Sequence, residues 1–389
     1  MKITDLVSYV VQVREGLPWT FVEVHTDDGL TGLGECSDYR STPMLVAGIE
    51  AAKPLVVGQD PSHIEEIWQR IFHQYSTMNG RGYISHIVSG IDIALWDIRG
   101  QALGVPVYQL LGGPVRPSVP LYTHIQDQWY EGVKIADAVQ AARQTVADGY
   151  GGIKTDPFKW QRARQGPYRG ADMVERLSPK AIAEAIEWMD AVREAVGPDY
   201  ELMVDAHGRF DVASAIAAGR ALEHVKLIWY EEPVPPESFQ ALRQVRENTD
   251  IPLCIGERHF TRWDYIPIFE QRLVDYVMPD VAWCGGISEL RRIAAMAEPY
   301  YIRFSPHDAL GPVSIMAGFH VCMTAPNLYR QECLHTWFED FKKIVTPMFD
   351  YHDGAIWPSD RPGLGIALNH DALKQYQLDP WDLKARRFR

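Results

Sequence analysis

The sequence predicts an α/β protein in which a TIM-type (β/α) barrel follows an α+β domain. Between residues 121 and 332, eight short apolar segments alternate with amphipathic helical patterns. That order, over roughly 210 residues, is what such a barrel requires. No G-x-G-x-x-G follows the first segment, so an open doubly wound sheet is the weaker alternative. The predicted barrel strands are 121–125, 152–156, 202–207, 227–231, 253–257, 274–280, 303–307 and 327–332.

The region before the barrel has a different pattern. Alternating β-branched segments at 3–14, 20–26 and 31–35 predict a small meander, and helical spacing follows at 44–52, 64–74 and 85–103. Strands followed by helices are typical of an α+β domain. We therefore predict domains at 1–118 and 119–344, and a C-terminal segment at 345–389 that packs back on the first domain.

Composition and charge narrow the class of protein. The chain has 389 residues, a net charge of −13 and 46% hydrophobic residues, which is ordinary for a folded globular protein and argues against a nucleic-acid or membrane-surface partner. Its five cysteines show no C-x-x-C spacing, so we predict neither a disulfide scaffold nor a zinc site, and expect a cytoplasmic location. Asp5 lies where a signal peptide would be apolar. The uncharged stretch 309–329 contains glycines and prolines, which favour a buried helix between loops over a membrane span.

Acidic residues end three successive predicted strands. Asp205, Glu231 and Glu257 follow one another at intervals of 26 residues. In a barrel, this spacing places them side by side at the carboxyl ends of the strands, where barrel enzymes carry their active sites. One such carboxylate could simply cap a helix, but three together repel one another unless a cation lies between them. Oxygen ligands suit a hard divalent ion, and we predict one Mg²⁺ per subunit.

The same spacing continues on the next three strands. Asp280, His307 and Glu332 follow at intervals of 23, 27 and 25 residues. An aspartate beside a histidine can orient the imidazole and favour its protonation, so His307 with Asp280 is the candidate general base. His207 lies two residues after Asp205 and would share its face if the strand extended that far, which makes it a second acid–base candidate.

A family resemblance rests on several short motifs taken together. The sequence resembles the enolase superfamily, mandelate racemase subgroup, and is most similar to its acid-sugar dehydratases of the galactonate dehydratase type. The resemblance covers essentially the whole chain and implies a (β/α)7β barrel, an N-terminal capping domain, and a homo-oligomer built from dimers, up to an octamer. It also implies that Asp205, Glu231 and Glu257 are the Mg²⁺ ligands, with Glu232 behind them. The motifs are Val204-Asp-Ala-His-Gly-Arg209, Glu231-Glu-Pro-Val234, Gly256-Glu-Arg258, Pro279-Asp-Val281, Gly285-Gly-Ile287, Ser305-Pro-His307 and Gln331-Glu332.

One segment departs from the racemases of the family. They carry Lys-x-Lys on the second barrel strand, where the second lysine is a base, whereas this chain has Lys154-Thr-Asp156. Asp156 does not readily replace that lysine, so a racemase with two bases is disfavoured, and we predict that Asp156 contacts the substrate instead. Lys154 is expected to contact the substrate carboxylate or Asp156, and a purely structural Lys154–Asp156 pair is the alternative.

Substrate selection is expected from loops over the barrel. The loop after the second strand is rich in arginine, and Arg162 and Arg169 could hydrogen-bond an anionic, hydroxylated substrate. A solvated loop or a subunit contact is equally compatible with it. By resemblance, Trp19 and Tyr39 lie on capping loops that contact the substrate.

These residues predict a dehydratase of an aldonate or aldarate sugar acid. His307 would remove the C2 proton, and protonated His207 would protonate the departing 3-hydroxyl. Lys154 and Glu332 would stabilise the enediolate, and Glu332 could donate a hydrogen bond to it only with a protonated carboxyl. The alternatives are a cycloisomerase of an anhydro-sugar acid, an epimerase with His207 as second base, and a non-catalytic sugar-acid-binding protein.

Overall fold

An antiparallel sheet and four helices form the N-terminal part of the computed structural model. The structure describes residues 1–38, 41–79, 82–125, 132–158 and 175–382. Strands β1 (Ile3–Val11), β2 (Trp19–Thr26) and β3 (Thr31–Glu35) pair in that order. Helices α1 (Thr42–Val56), α2 (Ile64–Asn79), α3 (Tyr83–Leu103) and α4 (Val107–Leu110) follow.

Two glycines of β3 let helix α3 lie directly on the sheet. A Cβ atom at Gly34 would come within 1.8 Å of the Gly90 carbonyl oxygen, and one at Gly32 within 2.1 Å of that of Ala94. Any larger residue would therefore push the helix away from the strand. This close contact buries most of α3 between the sheet and the rest of the molecule.

Among the described residues, eight strands and the helices between them form the second part of the chain. Seven of the barrel strands are shorter than predicted, and the first is longer by one residue. The barrel strands are β4 (Val119–His124), β5 (Gly152–Thr155), β6 (Glu201–Asp205), β7 (Trp229–Glu231), β8 (Leu253–Ile255), β9 (Tyr276–Val277), β10 (Arg303–Phe304) and β11 (Gln331–Cys333). The helices are α5 (Ile135–Ala147), α6 (Pro179–Val196), α7 (Val212–Leu222), α8 (Phe239–Arg246), α9 (Thr261–Glu270), α10 (Gly286–Ala297) and α11 (Pro312–Cys322).

The strands close into a barrel, which confirms the predicted fold class. β4 to β10 pair in parallel in chain order, and β11 pairs in parallel with β4. A parallel bridge between Phe304 and Leu328 joins β10 to the segment before β11, so the ring has eight members. The parallel order, with helices between most strands, is the capped (β/α)7β architecture.

Several strands were predicted to extend to functional residues, but they end before them in the structure. Glu257 and His307 were predicted as strand residues, but they follow the ends of β8 and β10 in loops. The loops at this end carry backbone conformations that a strand does not allow, such as the positive φ of 153° at Gly256. These residues therefore stand above the barrel rather than in its wall.

The C-terminal segment contacts both parts of the molecule. After α12 (Phe338–Phe341), strands β12 (Asp350–His352) and β13 (Ala355–Trp357) form a hairpin, and β13 pairs with β4 of the barrel. Helix α13 (His370–Tyr376) follows, and the Leu378 N–H donates to the Val10 carbonyl of β1. The domain boundaries themselves stay a prediction.

A buried polar seam joins α2 and α3 to the start of α10. The Asp92 carboxylate accepts hydrogen bonds from the backbone N–H and the hydroxyl of Ser288, at 3.0 and 2.5 Å. The Gly285 N–H donates to the Ser89 hydroxyl, and the Trp68 indole donates to the Gly285 carbonyl. The first and second parts of the chain are thus held together by buried polar contacts as well as by apolar ones.

The uncharged stretch forms α11, whose residues are all buried. Within the described ranges, no helix combines the length and apolar character needed to cross a membrane. All five cysteines are buried and free.

Replacing Asp97 should destabilise the fold, because this buried carboxylate joins three segments. It accepts from the backbone N–H groups of Leu33 and Leu364, at 2.9 and 2.7 Å, and from Gln101. Asp97→Ala leaves buried donors without partners, so we expect a loss of about 2–4 kcal/mol in the free energy of unfolding. Urea unfolding measures it. The exposed Asp371→Ala is the control, with an expected change below about 0.5 kcal/mol; equal losses would contradict the assignment.

Candidate active site

The predicted metal ligands lie at neighbouring strand ends. Asp205 ends β6 and Glu231 ends β7, where the two residues are register partners, and Glu257 follows β8. All three side chains are buried. Burial, and then repulsion by Asp205, raises the pKa of Glu231 well above its ordinary value. The carboxylates therefore form one electrostatic cluster, as their spacing in the sequence predicts.

The ammonium group of Lys154 is the central cation of this cluster. Its Nζ atom lies 2.7 Å from Glu231 Oε1, 2.6 Å from Glu332 Oε1 and 3.5 Å from Asp205 Oδ2. Burial lowers the pKa of Lys154, but attraction by Glu231 and Glu332 outweighs it and raises the pKa well above the usual value. Lys154 and Asp156 have different partners, so the expected Lys154–Asp156 contact is not formed.

Glu257 is held by two other cations. Arg258 Nη2 lies 2.8 Å from Glu257 Oε1, and Nη1 of the same guanidinium contacts Glu232. His307 Nε2 lies 3.0 Å from Glu257 Oε2. Burial raises the pKa of Glu257, but Arg258 and His307 lower it well below the usual value.

The donor chemistry of the cluster fits a hard divalent cation. Among the described residues, no three histidine, cysteine, aspartate or glutamate side chains are arranged to hold a metal ion as they stand. Lys154 contacts Asp205 and Glu231, whereas Arg258 contacts Glu257. Oxygen ligands on adjacent strand ends, with the proton affinity of Glu231 raised by its neighbour, are nevertheless suited to Mg²⁺. The three-ligand site stays a prediction.

The structure brings His307 and Asp280 together. A parallel bridge pairs their backbones, and His307 Nδ1 lies 2.6 Å from Asp280 Oδ2. The other oxygen of Asp280 accepts from the Ala282 N–H, at 2.7 Å, which fixes the carboxylate. Burial lowers the pKa of His307, but Glu332, Glu257 and Asp280 raise it well above its usual value. These carboxylates favour the protonated ring, and a divalent cation held by Glu257 would weaken that effect and favour the neutral imidazole that a base requires.

His207 reaches the cluster by a different route from the predicted one. β6 ends at Asp205, and His207 has a left-handed backbone with φ of 52°, so the expected shared strand face is wrong. The turn still directs the ring inward: Nδ1 lies 3.0 Å from Asp156 Oδ2, and Nε2 lies 3.5 Å from Asp205 Oδ2. Burial lowers the pKa of His207, but Asp205 and Asp156 outweigh it and raise the pKa to about 9. The ring is thus protonated at neutral pH.

Asp156 is fully buried behind His207. Arg209 donates to both of its oxygens, at 2.7 and 3.0 Å, in a bidentate pair. The predicted substrate contact of Asp156 is untested, and its observed contacts orient His207.

The surroundings of Glu332 favour its ionised form, whereas donation of a hydrogen bond to an enediolate would need a protonated carboxyl. Burial raises its pKa, but Lys154 and His307 lower the pKa well below its usual value. Glu332 Oε1 also lies 2.5 Å from His124 Nε2, and Oε2 accepts from the Asp308 N–H at 3.0 Å. A carboxylate with these partners accepts hydrogen bonds and cannot donate one to an enediolate.

Several residues of the site were missed from the sequence. His124 ends β4, so the strand-end rule that found the other residues would have found it as well. The Arg258–Glu232 and Arg209–Asp156 pairs had no signal beyond neighbouring charges in the motifs.

The predicted substrate loops are described only in part. Trp19 is 1% exposed and packs against Trp337 and Phe341, with ring centroids 6.5 and 5.4 Å apart. Tyr39, Arg162 and Arg169 lie outside the described residues, so their roles stay predictions.

Comparisons with known proteins agree along the chain. Residues 7–112 match the mandelate racemase / muconate lactonizing enzyme N-terminal domain, and residues 137–372 match the enolase C-terminal domain-like family. A D-galactonate dehydratase of Xanthomonas oryzae is 34% identical over 98% of this chain and 96% of its own length. A D-galactonate dehydratase family member of Streptomyces bingchenggensis is 33% identical over 95% and 92%.

Solved structures are similar in fold as well. A mandelate racemase/muconate lactonizing enzyme-like protein from Rubrobacter xylanophilus matches with a TM-score of 0.89 and 34% identity, over 97% of this chain and 98% of that one. An enolase superfamily member from Salmonella Typhimurium has a TM-score of 0.89 and 30% identity, over 96% and 98%.

Lys154→Met should destabilise the metal-free protein, because it leaves Glu231 and Glu332 without their shared cation. We expect a loss of about 3–5 kcal/mol in the free energy of unfolding in EDTA, with part of it recovered in Mg²⁺. Urea unfolding under both conditions measures it.

The control is Lys53→Met, whose half-exposed contacts with Asp5 and Glu50 should be worth less than about 1 kcal/mol. A Lys154→Met protein as stable as wild type in EDTA would contradict the central role of this ammonium.

Proposed function

We infer the reaction from the family: the chain belongs to the mandelate racemase / muconate lactonizing enzyme family of the enolase superfamily and is a hydro-lyase of its acid-sugar dehydratase kind. We propose that it takes the C2 proton and the 3-hydroxyl from an aldonate or aldarate and releases a 2-keto-3-deoxy acid and water. One observation carries this proposal: two histidines, each held by its own aspartate, flank a carboxylate cluster from opposite sides. β6, which precedes His207, and β10, which precedes His307, are four steps apart in a ring of eight strands.

We assign removal of the C2 proton to His307. The C2 proton of a sugar acid is a very weak acid, so its base must be held in a fixed direction and must bind the proton firmly. Asp280 supplies both properties, because its contact with Nδ1 leaves Nε2 facing the carboxylate cluster.

We assign protonation of the departing 3-hydroxyl to His207. A 3-hydroxyl leaves poorly as hydroxide, whereas with a proton from His207 it leaves as water. The electron pair from the C2–H bond then forms the C2–C3 double bond, and the resulting enol tautomerises to the 2-keto acid. A pKa raised to about 9 keeps the proton available on His207 at neutral pH.

The negative charge that develops on the substrate carboxylate requires cations nearby. Lys154 is the buried ammonium of the site. It contacts Glu332 Oε1, and His124 contacts the same oxygen. Asp205, Glu231 and Glu257 would hold Mg²⁺. When bound, this ion would withdraw electron density from the substrate carboxylate and so lower the pKa of the C2 proton. Lys154 supplies fixed positive charge on this side of the pocket, and the ligand carboxylates would hold the ion beside it.

The second barrel strand bears on the alternatives. An epimerase would need His207 as a second base, and Asp156, which stands where the family's racemases carry a basic lysine, disfavours it. The same residues would serve a cycloisomerase, and the names of the relatives favour a dehydratase. A panel of hexonates, pentonates and aldarates, beginning with galactonate because of those relatives, decides between them by release of a 2-keto acid.

Loss of the metal site should abolish turnover. We expect EDTA to inactivate the enzyme reversibly, and Asp205→Asn, Glu231→Gln and Glu257→Gln each to lower kcat by roughly 10³-fold or more, because several kcal/mol of charge stabilisation is lost. Formation of 2-keto acid measures activity, and calorimetry with Mg²⁺ measures binding. Glu201→Gln, at the other end of β6, is the control with normal activity. Full activity in any two of the three variants would refute the ligand set.

An exchange experiment should distinguish the roles of the two histidines. His307→Asn should stop exchange of the C2 hydrogen with D₂O, because the base is gone. His207→Asn should block dehydration yet allow exchange, since proton removal comes first. NMR of the recovered substrate measures exchange, and His224→Asn, a surface histidine beside Asp190, is the control. Normal exchange in His307→Asn with none in His207→Asn would mean that the roles are reversed.

A further inference from the structure

Glu35 is a buried carboxylate outside the metal-ligand cluster. It ends strand β3 of the N-terminal sheet and is 0% exposed. Its Oε1 atom accepts from the Ser37 hydroxyl at 2.7 Å and from the Gly311 N–H at 2.8 Å. Its Oε2 atom accepts from the N–H groups of Val313 and Ser314, at 3.2 and 2.9 Å. Both oxygens therefore accept hydrogen bonds, mostly from a barrel segment that begins at Gly311, 276 residues later in the chain.

Glu35 caps helix α11 from the other part of the molecule. The helix starts at Pro312 after Gly311, and its own first residues provide no side-chain cap. The first N–H groups of a helix have no partner within the helix, and a negative charge there is favourable. A Cβ atom at Gly311 would lie 2.5 Å from Glu35 Oε1, so the carboxylate touches the backbone directly.

The capped segment begins at the proposed base. His307 is followed at once by Asp308, whose N–H donates to Glu332, and the chain reaches Gly311 three residues later. The loop 307–311 is thus fixed by Asp280 and Glu332 at its start and by Glu35 at its end.

A second path runs from Glu35 to the same imidazole. Ser37 makes two contacts on this path. Its hydroxyl donates to Glu35, and its backbone carbonyl accepts from the Trp283 indole at 2.6 Å. The Trp283 ring lies 5.1 Å from the His307 ring, between centroids. Contacts that begin at Glu35 therefore reach His307 through the backbone and through a packed ring.

We propose that Glu35 is a positioning residue that holds the loop 307–311, and hence the His307 imidazole, in the direction needed for proton removal. This inference rests on the proposed function, in which His307 is the base. Glu35 touches neither the ligand carboxylates nor the other histidine, so its loss acts on one step. The N-terminal domain then contributes to the chemistry as well as to substrate selection.

Glu35→Gln and Glu35→Ala in the full chain test the inference. The glutamine has the same shape but turns an N–H group toward the helix donors, and the alanine leaves those donors without a partner. We expect kcat and the C2 exchange rate, per folded molecule, to fall together by roughly 10- to 100-fold in Glu35→Ala and less in Glu35→Gln. KM should stay close to wild type, because the metal ligands and Lys154 are untouched. Burial raises the pKa of Glu35 to about 7, so the assays are run near pH 8.

Glu23→Gln is the matched control. Glu23 is a buried glutamate on the neighbouring strand β2, and it pairs with His370 rather than with α11. It should keep the wild-type kcat. Unfolding curves give the folded fraction, so a loss of folded molecules is separated from a slower step.

Hydrogen exchange of the amides at 311–314 provides a readout independent of turnover. It should be faster in Glu35→Gln than in wild type. If Glu35→Ala fails to fold, Glu35→Gln decides alone. A kcat within twofold of wild type in Glu35→Gln, unchanged amide exchange, or an equal kcat loss in Glu23→Gln would overturn the inference. Failure of wild type to act on any sugar acid would instead overturn the proposed function, and amide exchange would still decide whether Glu35 fixes the helix.

Discussion

The contact of the Lys154 ammonium with Glu231 and Glu332 is the interaction on which the site depends. Ionised carboxylates taken out of water are stable only with positive charge beside them, and this lysine is buried among them. Arg258 does the same for Glu257, and Arg209 for the carboxylate behind His207. The barrel thus concentrates acidic groups at one end because it places a fixed cation next to each.

This balance of charge also divides the work between the two histidines. Asp280 contacts one nitrogen of His307 and leaves the other facing the cluster, whereas His207 lies between Asp156 and Asp205. Both rings are therefore oriented by carboxylates that the substrate does not need to touch. The chemistry proposed here requires only that a substrate carbon chain lie between the rings, with its own carboxylate toward the cations.

Residue spacing was sufficient to predict the barrel and much of the acidic cluster, because a repeated strand–helix unit puts equivalent positions at one end of the ring. Asp205 and Glu231 are adjacent for that reason. The sequence could not reveal the left-handed turn that directs His207, since a single φ angle depends on its surroundings. The ionisation of Glu332 depends on three-dimensional neighbours. Glu35 was missed because its partners lie on a distant segment.

The buried polar seam between helices α2 and α3 and the start of α10 has a consequence for engineering. Asp92, Ser89 and Trp68 hydrogen-bond to Gly285 and Ser288 where little water can replace a lost partner. A chimera that takes its N-terminal domain from a relative with a different substrate would need the matching 285–288 segment as well. Grafting short surface loops avoids that constraint. For this scaffold, the unit of recombination is therefore a loop, or a domain together with its docking segment.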